Sequence, residues 1–416
     1  MTLTRRTKLP AIALFLVFFL FVQAQAEALP AALQQKIDTL ARKTLADTGV
    51  PSVSIAIVQD AAIAYRQAYG DGRIDPRKPA DPAMRYSIGS ISKQFTAAAV
   101  LLLAEQGKLS LDDPVSRFVP NLTRGNEVTI RELLSHTSGY QDYWPQDYVP
   151  PFMLHPVTAD KILDLWARKA LDFDPGTEWQ YSNTNFVIAG LIVEKASGEP
   201  LLHFLSEHIF TPLGMKSVIN IDQDRLTETD ATGYLRYAIG PLRVAPKEGR
   251  GWLFAAGELA MPAEDLAKWD IAMINQTVLK PASYAAMERE TVLKNGQGTR
   301  YGLGVSVRDE LGQRAIEHSG EVSGSIKCGA PAIGPARLVP IEVDDLAPFW
   351  RRARTPAEQP PGRRRYNCRL QEKCGGDNVE DRDALGTVCG SADGAGHGAS
   401  GSAECIDECS RRSDAS

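Results

Sequence analysis

Residues 86–106 read YSIGSISKQFTAAAVLLLAEQ, and this stretch decides the fold. It is apolar without a break from Ala97 to Ala104, and Gly107 follows it. A helix that is apolar on every side lies inside a protein core. We therefore predict a buried helix over residues 91–106, with Ser90 and Lys93 at its first turn.

The spacing of Ser90 and Lys93 points to nucleophilic catalysis. Residues three apart lie on one face of a helix, so the lysine amine can reach the serine hydroxyl and take its proton. The backbone N–H groups and the dipole at a helix N-terminus stabilise an oxyanion. A Ser-x-x-Lys match alone is weak, because it occurs about once by chance in ~400 residues. The alternative is that Ser90 is only a helix N-cap.

Two further stretches carry residue types suited to the same chemistry. Tyr181-Ser182-Asn183 follows a turn, and His318-Ser319-Gly320 follows an apparent strand. A tyrosine near a lysine can shuttle protons, and an asparagine amide can orient an ester or amide substrate. Glycine lets a backbone approach a ligand closely. Taken singly, Asn183 could be a helix cap and His318 a surface histidine.

The flanks of these motifs make the pattern specific. They comprise Tyr86-Ser87-Ile88-Gly89 before Ser90, Leu133-Leu134-Ser135-His136-Thr137-Ser138-Gly139, Ala255-Ala256-Gly257 and Asp265-Leu266-Ala267-Lys268-Trp269. In this order, over residues 30–324, the motifs resemble those of the serine β-lactamase-related family. That family includes class C β-lactamases, D-Ala-D-Ala carboxypeptidases, D-aminopeptidases and related esterases, and it overlaps the penicillin-binding proteins.

The resemblance implies a fold, a reaction and a set of roles. The fold is of the α/β (α+β) class, with an antiparallel sheet flanked by helices and an inserted helical region. Ser90 would be the nucleophile of an acyl-enzyme that water resolves, without metal or organic cofactor. Lys93 and Tyr181 would share the base and acid roles, and which of them takes the first proton stays open. The implied binding residues are Asn183 on the substrate carbonyl side, His318 and Gly320 on the strand lining the cleft, and the backbone N–H groups of Ser90 and Glu321 as oxyanion hole.

One departure from the family pattern bears on the substrate. His318 stands where β-lactamases proper carry a lysine, and a neutral histidine cannot hold a β-lactam carboxylate as a fixed cation does. We therefore rank esterase or D-amino-acid and cell-wall peptidase activity above β-lactamase activity. The rival hypotheses are a non-catalytic penicillin-binding-like sensor and an inactive product of a damaged gene.

Composition excludes several other classes of protein. The 416 residues are 44% hydrophobic and 23% charged, with a net charge of −5, as in soluble globular proteins. The mild acidity argues against a nucleic-acid binder. The 6 histidines contain no HExxH pair, so a zinc hydrolase of that type is not indicated. The expected partner is a small-molecule or peptide substrate: an ester, a D-amino-acid peptide or a β-lactam.

The N-terminus has the three parts of a secretory signal peptide. Arg5, Arg6 and Lys8 precede an apolar run over residues 11–22, and Ala24-Gln25-Ala26 forms a cleavage site. We predict a signal peptide over 1–26, a hydrolase domain over 27–324 and a periplasmic or secreted location, with no stable membrane span after cleavage. The alternative is an uncleaved membrane anchor.

Periodicity predicts the elements of the hydrolase domain. Strands are expected at residues 52–58, 63–69 and 301–307. Helices are expected at residues 31–48, 128–134, 159–169, 185–196, 201–210 and 263–274.

The tail over residues 325–416 has a different composition. Leu, Ile, Val and Phe supply 13 of its 92 residues, too few for a core, and all 6 cysteines of the chain follow residue 327. A disulfide-stapled module, a metal knuckle and translation of a GC-rich gene in a shifted frame all remain open. The strands and long helix that end the family fold are missing from this tail. We therefore expect the chain as written to fold poorly and to lose activity, because the sheet keeps an open edge.

Overall fold

The computed structural model describes residues 28–144, 149–236, 240–310, 313–322 and 325–328. The predicted signal peptide, and the predicted tail beyond residue 328, lie outside the described residues. Within them the chain combines helices with antiparallel strands, as the resemblance implied.

The first elements are a helix and a long hairpin. Helix α1 (Ala31–Thr48) ends at Gly49, whose φ of 69° is in the left-handed region. Strands β1 (Ser52–Gln59) and β2 (Ala62–Arg73) pair antiparallel, and β3 (Lys78–Pro79) extends the sheet from β2. The Asp38 carboxylate accepts hydrogen bonds from the hydroxyls of Tyr65 and Tyr69, which fastens α1 to β2. The predicted helix and both predicted strands are confirmed, and β2 is longer than expected.

The predicted buried helix is α2 (Ser92–Glu105), entered through a 3₁₀ turn over Gly89–Ile91. All of its residues from Ser92 to Leu101 are buried. Phe95 packs between Phe210 and Trp269, with ring centroids 5.4 and 4.9 Å away. Burial of residues 92–101 on every side explains the apolar run, because this part of the helix has no face in water.

An inserted helical region packs against α2. Its helices are α3 (Ile130–Leu134), α4 (Ala159–Ile162), α5 (Asn183–Ser197) and α6 (Leu201–Leu205). The helices predicted over 159–169 and 201–210 each change after α4 and α6 into π-helical turns, Leu163–Ala167 and Ser206–Phe210. Two short 3₁₀ turns, Val115–Arg117 and Pro151–Leu154, lie in the connecting segments.

Five short strands and two more helices complete the core of the described part. In one three-stranded sheet, β4 (Tyr86–Ser87) and β5 (Ile219–Asn220) flank β8 (Leu259–Met261). Strands β6 (Tyr234–Leu235) and β7 (Arg243–Val244) pair with each other. Helices α7 (Ala263–Asn275) and α8 (Pro281–Glu288) follow.

The strand predicted over residues 301–307 is wrong in position. Strand β9 begins at Ser306 and runs to Glu310, and it pairs with β10 (Gln313–Glu317). The preceding residues bend instead, because Gly304 adopts a φ of 75°. Backbone hydrogen bonds tie Leu303 to Met287 and Gly304 to Leu134, so this segment packs on helices rather than in a sheet.

The last described elements form a hairpin beside the 3₁₀ turn. Strand β11 (Ser319–Val322) pairs antiparallel with β12 (Ser325–Cys328). Regular structure therefore continues four residues into the segment that we assigned to the tail. The expectation that no strand follows residue 324 is corrected to this extent, because pairing with β11 satisfies a backbone whose composition gave no strand signal.

Candidate active site

Ser90 lies in the 3₁₀ turn that leads into α2, and glycine at position 89 makes this placement possible. The φ of Gly89 is 53°. A Cβ added there would lie 2.7 Å from the backbone nitrogen of Glu321, closer than real contacts allow. The turn therefore brings Ser90 to the N-terminus of a buried helix and directly against β11.

Lys93 is completely buried and its amine contacts three oxygen atoms. Nζ lies 2.9 Å from Ser90 Oγ, 2.8 Å from Asn183 Oδ1 and 2.7 Å from the carbonyl oxygen of Ala256. An ammonium group has three N–H donors and would use all of them here.

The same contacts determine where the neutral amine directs its lone pair. A carbonyl oxygen and an amide oxygen can only accept, so the neutral amine must donate to both Asn183 and Ala256. The remaining contact is with Ser90 Oγ, whose hydroxyl can donate. The lone pair of neutral Lys93 is thus directed at the proton of the predicted nucleophile.

Burial also makes the neutral form accessible near neutral pH. Desolvation lowers the pKa of Lys93 from 10.5 to about 7, and the Asp142 carboxylate opposes this shift by attracting the ammonium. A lysine whose pKa lies near the working pH suits general-base chemistry.

Tyr181 lies over the same serine. Its hydroxyl hydrogen-bonds with Ser90, and Lys93 Nζ lies 5.1 Å from the centroid of its ring. Burial raises the pKa of Tyr181 far above its usual range, so its hydroxyl keeps the proton in the free protein.

His136 holds the backbone on both sides of Tyr181. Its Nδ1 accepts from the Ser182 N–H at 3.2 Å, and its carbonyl oxygen accepts from the Gln180 N–H at 3.0 Å. Its ring stacks on the Tyr181 ring with centroids 4.2 Å apart. His136 is fully buried, and desolvation holds its pKa well below the ordinary value, so the ring is neutral.

The opposite side of the site is built from backbone. A Cβ added at Gly320 would lie 2.0 Å from the carbonyl oxygen of Ile88 and 2.8 Å from the nitrogen of Ser90. Strand β11 therefore lies directly against the turn that holds Ser90. The backbone nitrogens of Ser90 and Glu321 come into one neighbourhood, which is the arrangement that an oxyanion hole requires.

His318 lies behind this surface and only 4% of it is exposed. Its Nδ1 lies 2.5 Å from the carbonyl oxygen of Ser319, and its Nε2 lies 2.8 Å from the hydroxyl of Tyr301. A carbonyl only accepts, so Nδ1 carries the proton and Nε2 accepts from Tyr301. Burial, reinforced by Lys93, lowers the pKa of His318 to about 3. It is a neutral residue with both ring nitrogens engaged.

Two acids, the half-buried Asp222 and the buried Glu258, shape the loop that presents the Ala256 carbonyl. Asp222 accepts from the Gly251 N–H at 2.9 Å, and Glu258 accepts from the Asn220 side-chain amide at 2.8 Å. Burial raises the pKa of Asp222 to about 6 and that of Glu258 to about 8. These contacts fix the backbone on which Lys93 depends.

Among the described residues, one acidic and histidine cluster has the spacing of a metal site. Glu199, His203 and Glu207 place ligand atoms within 4.8 Å of one another. Glu199 precedes α6, His203 lies in α6 and Glu207 lies in the π turn that follows it, and His203 Nδ1 already contacts Glu199 Oε2 at 2.7 Å. Such exposed ion pairs are common on helices and take no part in the arrangement around Ser90.

The structure brings most of the predicted site residues together. Ser90, Lys93, Tyr181 and Asn183 are in one contact network, Gly320 and Glu321 lie beside it, and His318 stands behind it. Sequence reasoning missed the parts played by His136, Asp142, Tyr301 and Ala256. His136 and Ala256 lie in quoted flanking motifs, which was the available signal, whereas Asp142 lies in a loop without a recognisable pattern.

Comparison with known proteins shows the family of the chain. The model of the family described as Beta-lactamase matches residues 37–335. The chain belongs to the Beta-lactamase family. Membership in this family gives the serine hydrolase fold and does not name a substrate.

The relatives of this chain include proteins named as a penicillin-binding protein and as a D-aminopeptidase. Penicillin-binding protein 4* of Bacillus subtilis is 30% identical over 62% of this chain and 60% of its own length. A D-aminopeptidase of Brucella anthropi is 28% identical over 66% of this chain and 52% of its own length. The chain thus spans only about half to three fifths of these curated relatives. A solved D-stereospecific amidohydrolase from Streptomyces sp. superposes with a TM-score of 0.61 and 26% identity, covering 71% of this chain and 90% of that one.

Helices α1 to α8 lie in the described part of the chain. None of them combines the length and the apolar character needed to cross a bilayer.

Proposed function

We propose that this chain is an exported serine hydrolase that cleaves an ester or amide bond through an acyl-enzyme at Ser90. The single observation that supports this most strongly is the buried amine of Lys93, 2.9 Å from Ser90 Oγ, with its other two contacts to acceptors. Such a lysine can activate the serine without a metal.

The proposed acylation step moves one proton and exchanges one bond. Neutral Lys93 takes the hydroxyl proton of Ser90 while Oγ forms a bond to the substrate carbonyl carbon. The backbone N–H groups of Ser90 and Glu321 hold the resulting oxyanion. The bond to the leaving group then breaks, and Tyr181 gives its proton to the leaving nitrogen or oxygen and regains one from Lys93. Water, deprotonated by the same pair, releases the acid product.

The proposed substrate class is an amide or ester of a D-amino acid, including short peptides that contain one. Two related proteins, named as a D-aminopeptidase and a D-stereospecific amidohydrolase, support this class. The state of His318 argues against β-lactams, because a neutral ring with both nitrogens engaged supplies no fixed cation for a carboxylate.

Activity-based labelling tests the catalytic part of this proposal. Purified protein lacking residues 1–26 is treated with a fluorophosphonate probe beside Ser90→Ala and Ser92→Ala. Ser92 is buried on the same helix, and its Oγ contacts the Leu259 N–H rather than Lys93. We expect labelling of the wild type and Ser92→Ala and none of Ser90→Ala. Absence of labelling in the wild type would contradict catalysis and favour the sensor or the damaged gene.

A substrate panel then tests the substrate class. D-alanine p-nitroanilide, its L-enantiomer, p-nitrophenyl acetate and nitrocefin are compared at equal protein concentration. We expect the D-anilide to exceed the L-anilide and nitrocefin to be the poorest substrate. Faster turnover of nitrocefin than of the D-anilide would reject this substrate class while leaving the serine chemistry intact.

Export is tested separately by expressing the full chain in a bacterial host. The proposed signal peptide predicts a periplasmic or secreted product whose N-terminus lies near Glu27. N-terminal sequencing of the mature product checks this, and a retained Met1 in the membrane fraction would instead support the uncleaved anchor.

A further inference from the structure

Asp142 lies in the loop after α3, and its carboxylate contacts the N-terminus of α5. Ser182, the N-cap of α5, makes no side-chain capping hydrogen bond. The Asp142 carboxylate takes over this function, since its Oδ1 accepts from the backbone N–H of Asn183 at 2.8 Å. A carboxylate at a helix N-terminus is also favoured by the helix dipole.

The same oxygen also determines which way the Asn183 amide points. Asn183 Nδ2 lies 3.1 Å from Asp142 Oδ1 and 3.4 Å from Oδ2. A carboxylate only accepts, so the amide must direct its N–H groups at Asp142 and its oxygen away from it. That oxygen is the atom that accepts from Lys93 at 2.8 Å.

We propose that Asp142 is a positioning residue of the active site: it holds Asn183 so that the amide oxygen accepts from Lys93 and leaves the lysine lone pair directed at Ser90. With the amide reversed, an N–H group would face the amine, and Lys93 would have to direct its lone pair at Asn183 instead of Ser90. This inference rests on the proposed function of Ser90 and Lys93. It adds a residue that does not itself contact Ser90 or Lys93 by hydrogen bond.

A carboxylate in this position also acts on Lys93 through its charge. Asp142 attracts the ammonium form and so raises the pKa of Lys93 against the effect of burial. The other ionisable groups facing Lys93 are uncharged at neutral pH: Tyr181, His136 and His318. Glu258 adjoins the loop that presents the Ala256 carbonyl, and Glu321 lies on β11 with its side chain exposed.

The substitution Asp142→Asn separates charge from geometry. The short contacts of Asp142, to the Asn183 backbone, the Asn183 side chain and the Trp144 N–H, all use Oδ1. An asparagine can keep an oxygen at that position and lose only the charge. The matched control is Asp230→Asn, since Asp230 is a buried carboxylate that accepts a backbone N–H, from Thr227 at 2.8 Å, but pairs with Arg85 and does not face Lys93.

The first measurement follows Lys93 itself by NMR, independently of turnover. Protein carrying ¹³Cε-labelled lysine is titrated, with the Lys93 signal assigned from its loss in Lys93→Ala. We expect Asp142→Asn to lower the Lys93 midpoint by roughly 0.5–1 pH unit and Asp230→Asn to leave it unchanged. Equal midpoints in wild type and Asp142→Asn would overturn the proposal, and so would a wild-type Lys93 that titrates like the exposed lysines.

The second measurement compares rates of fluorophosphonate labelling from pH 5.5 to 9. We expect Asp142→Ala to lose about 10–100-fold at every pH, since misplaced groups cost this much. We expect Asp142→Asn to recover most of the rate at pH 8, with its acidic limb moved to lower pH. Equal losses in both variants with an unmoved limb would mean that Asp142 only stabilises the loop.

The two measurements separate this inference from the proposed function. If wild-type Ser90 is not labelled while the Lys93 midpoint still moves in Asp142→Asn, the catalytic proposal fails and the action of Asp142 on Lys93 stands. If wild-type Ser90 is labelled normally and the Lys93 midpoint does not move in Asp142→Asn, the catalytic proposal stands and the role of Asp142 is overturned.

Discussion

The two sides of the active site hold Ser90 by different means. On the helical side, side chains contact one another. Lys93, Asn183 and Asp142 form one series of hydrogen bonds, and His136 packs on Tyr181 and accepts from the Ser182 N–H. On the strand side, the contacts are backbone atoms, where Gly320 lies against residues 88–90. The helical side therefore depends on residue chemistry, whereas the strand side depends on the absence of a side chain.

This difference predicts two kinds of sensitivity. On the helical side, a conservative substitution can preserve part of the function, because an acceptor or a ring can be replaced by a similar group. On the strand side, the methyl group of an alanine at position 320 would overlap the backbone of Ile88. Four substitutions test this contrast, beginning with the largest expected loss.

Lys93→Ala should have the largest effect, because it removes the only amine that contacts Ser90 Oγ among the described residues. We expect fluorophosphonate labelling to fall about 10³-fold, within the range for loss of a general base. The rate of the wild type should rise through pH 7, because only the neutral amine accepts the proton and the pKa of Lys93 is about 7. Labelling of Lys93→Ala at near wild-type rate would assign the base to Tyr181.

Gly320→Ala tests the strand side and should cost about 10²-fold in labelling rate. Its Cβ would lie 2.0 Å from the Ile88 carbonyl oxygen, so β11 or the turn must move. Gly257→Ala is the control, since its Cβ would meet nothing closer than Val322 Cγ1 at 3.5 Å. If both variants label equally well, close approach of β11 is not required for the oxyanion hole.

The contrast also explains which parts of the site the sequence could predict. Ser90 and Lys93 were predictable because helical spacing brings them together, and Tyr181 and Asn183 because the resemblance supplied their order. Asp142 meets Asn183 across a sequence separation of 41 residues, and no local rule indicates such a contact. The tertiary packing of Leu303 and Gly304 likewise displaced the strand expected over 301–307.

His136→Ala should reduce the labelling rate by roughly 10-fold, less than either change above, because Tyr181 keeps its own hydroxyl. The loss comes from the Ser182 N–H, which is left buried without an acceptor, and from the missing stack on Tyr181. The pH dependence of labelling should stay unchanged, since His136 is neutral throughout. His203→Ala, on the exposed surface of α6, serves as the control. A shifted pH profile in His136→Ala would show that this histidine titrates.

Of the four substitutions, Glu258→Gln should change the labelling rate at pH 7 the least. Its effect on thermal stability should be larger than its effect on labelling. Burial raises the pKa of Glu258 from 4.5 to about 8, so the folded protein holds this proton more tightly than the unfolded chain does. Its contribution to stability is therefore complete below pH ~4.5 and is lost as the pH rises through about 8. Glutamine can accept from Asn220 as before but does not titrate.

Thermal unfolding at pH 5, 7 and 9 measures this difference. The wild type should lose several degrees more than Glu258→Gln between pH 5 and pH 9, because about 1 kcal/mol shifts the midpoint by ~2–4 °C in a domain of this size. Glu228→Gln, on the exposed surface, should follow the wild type. Parallel curves for wild type and Glu258→Gln would mean that Glu258 is ionised in the folded protein. The loop that presents the Ala256 carbonyl to Lys93 would then tolerate a buried charge, and the surroundings of Lys93 on the helical side would be more polar than its burial indicates.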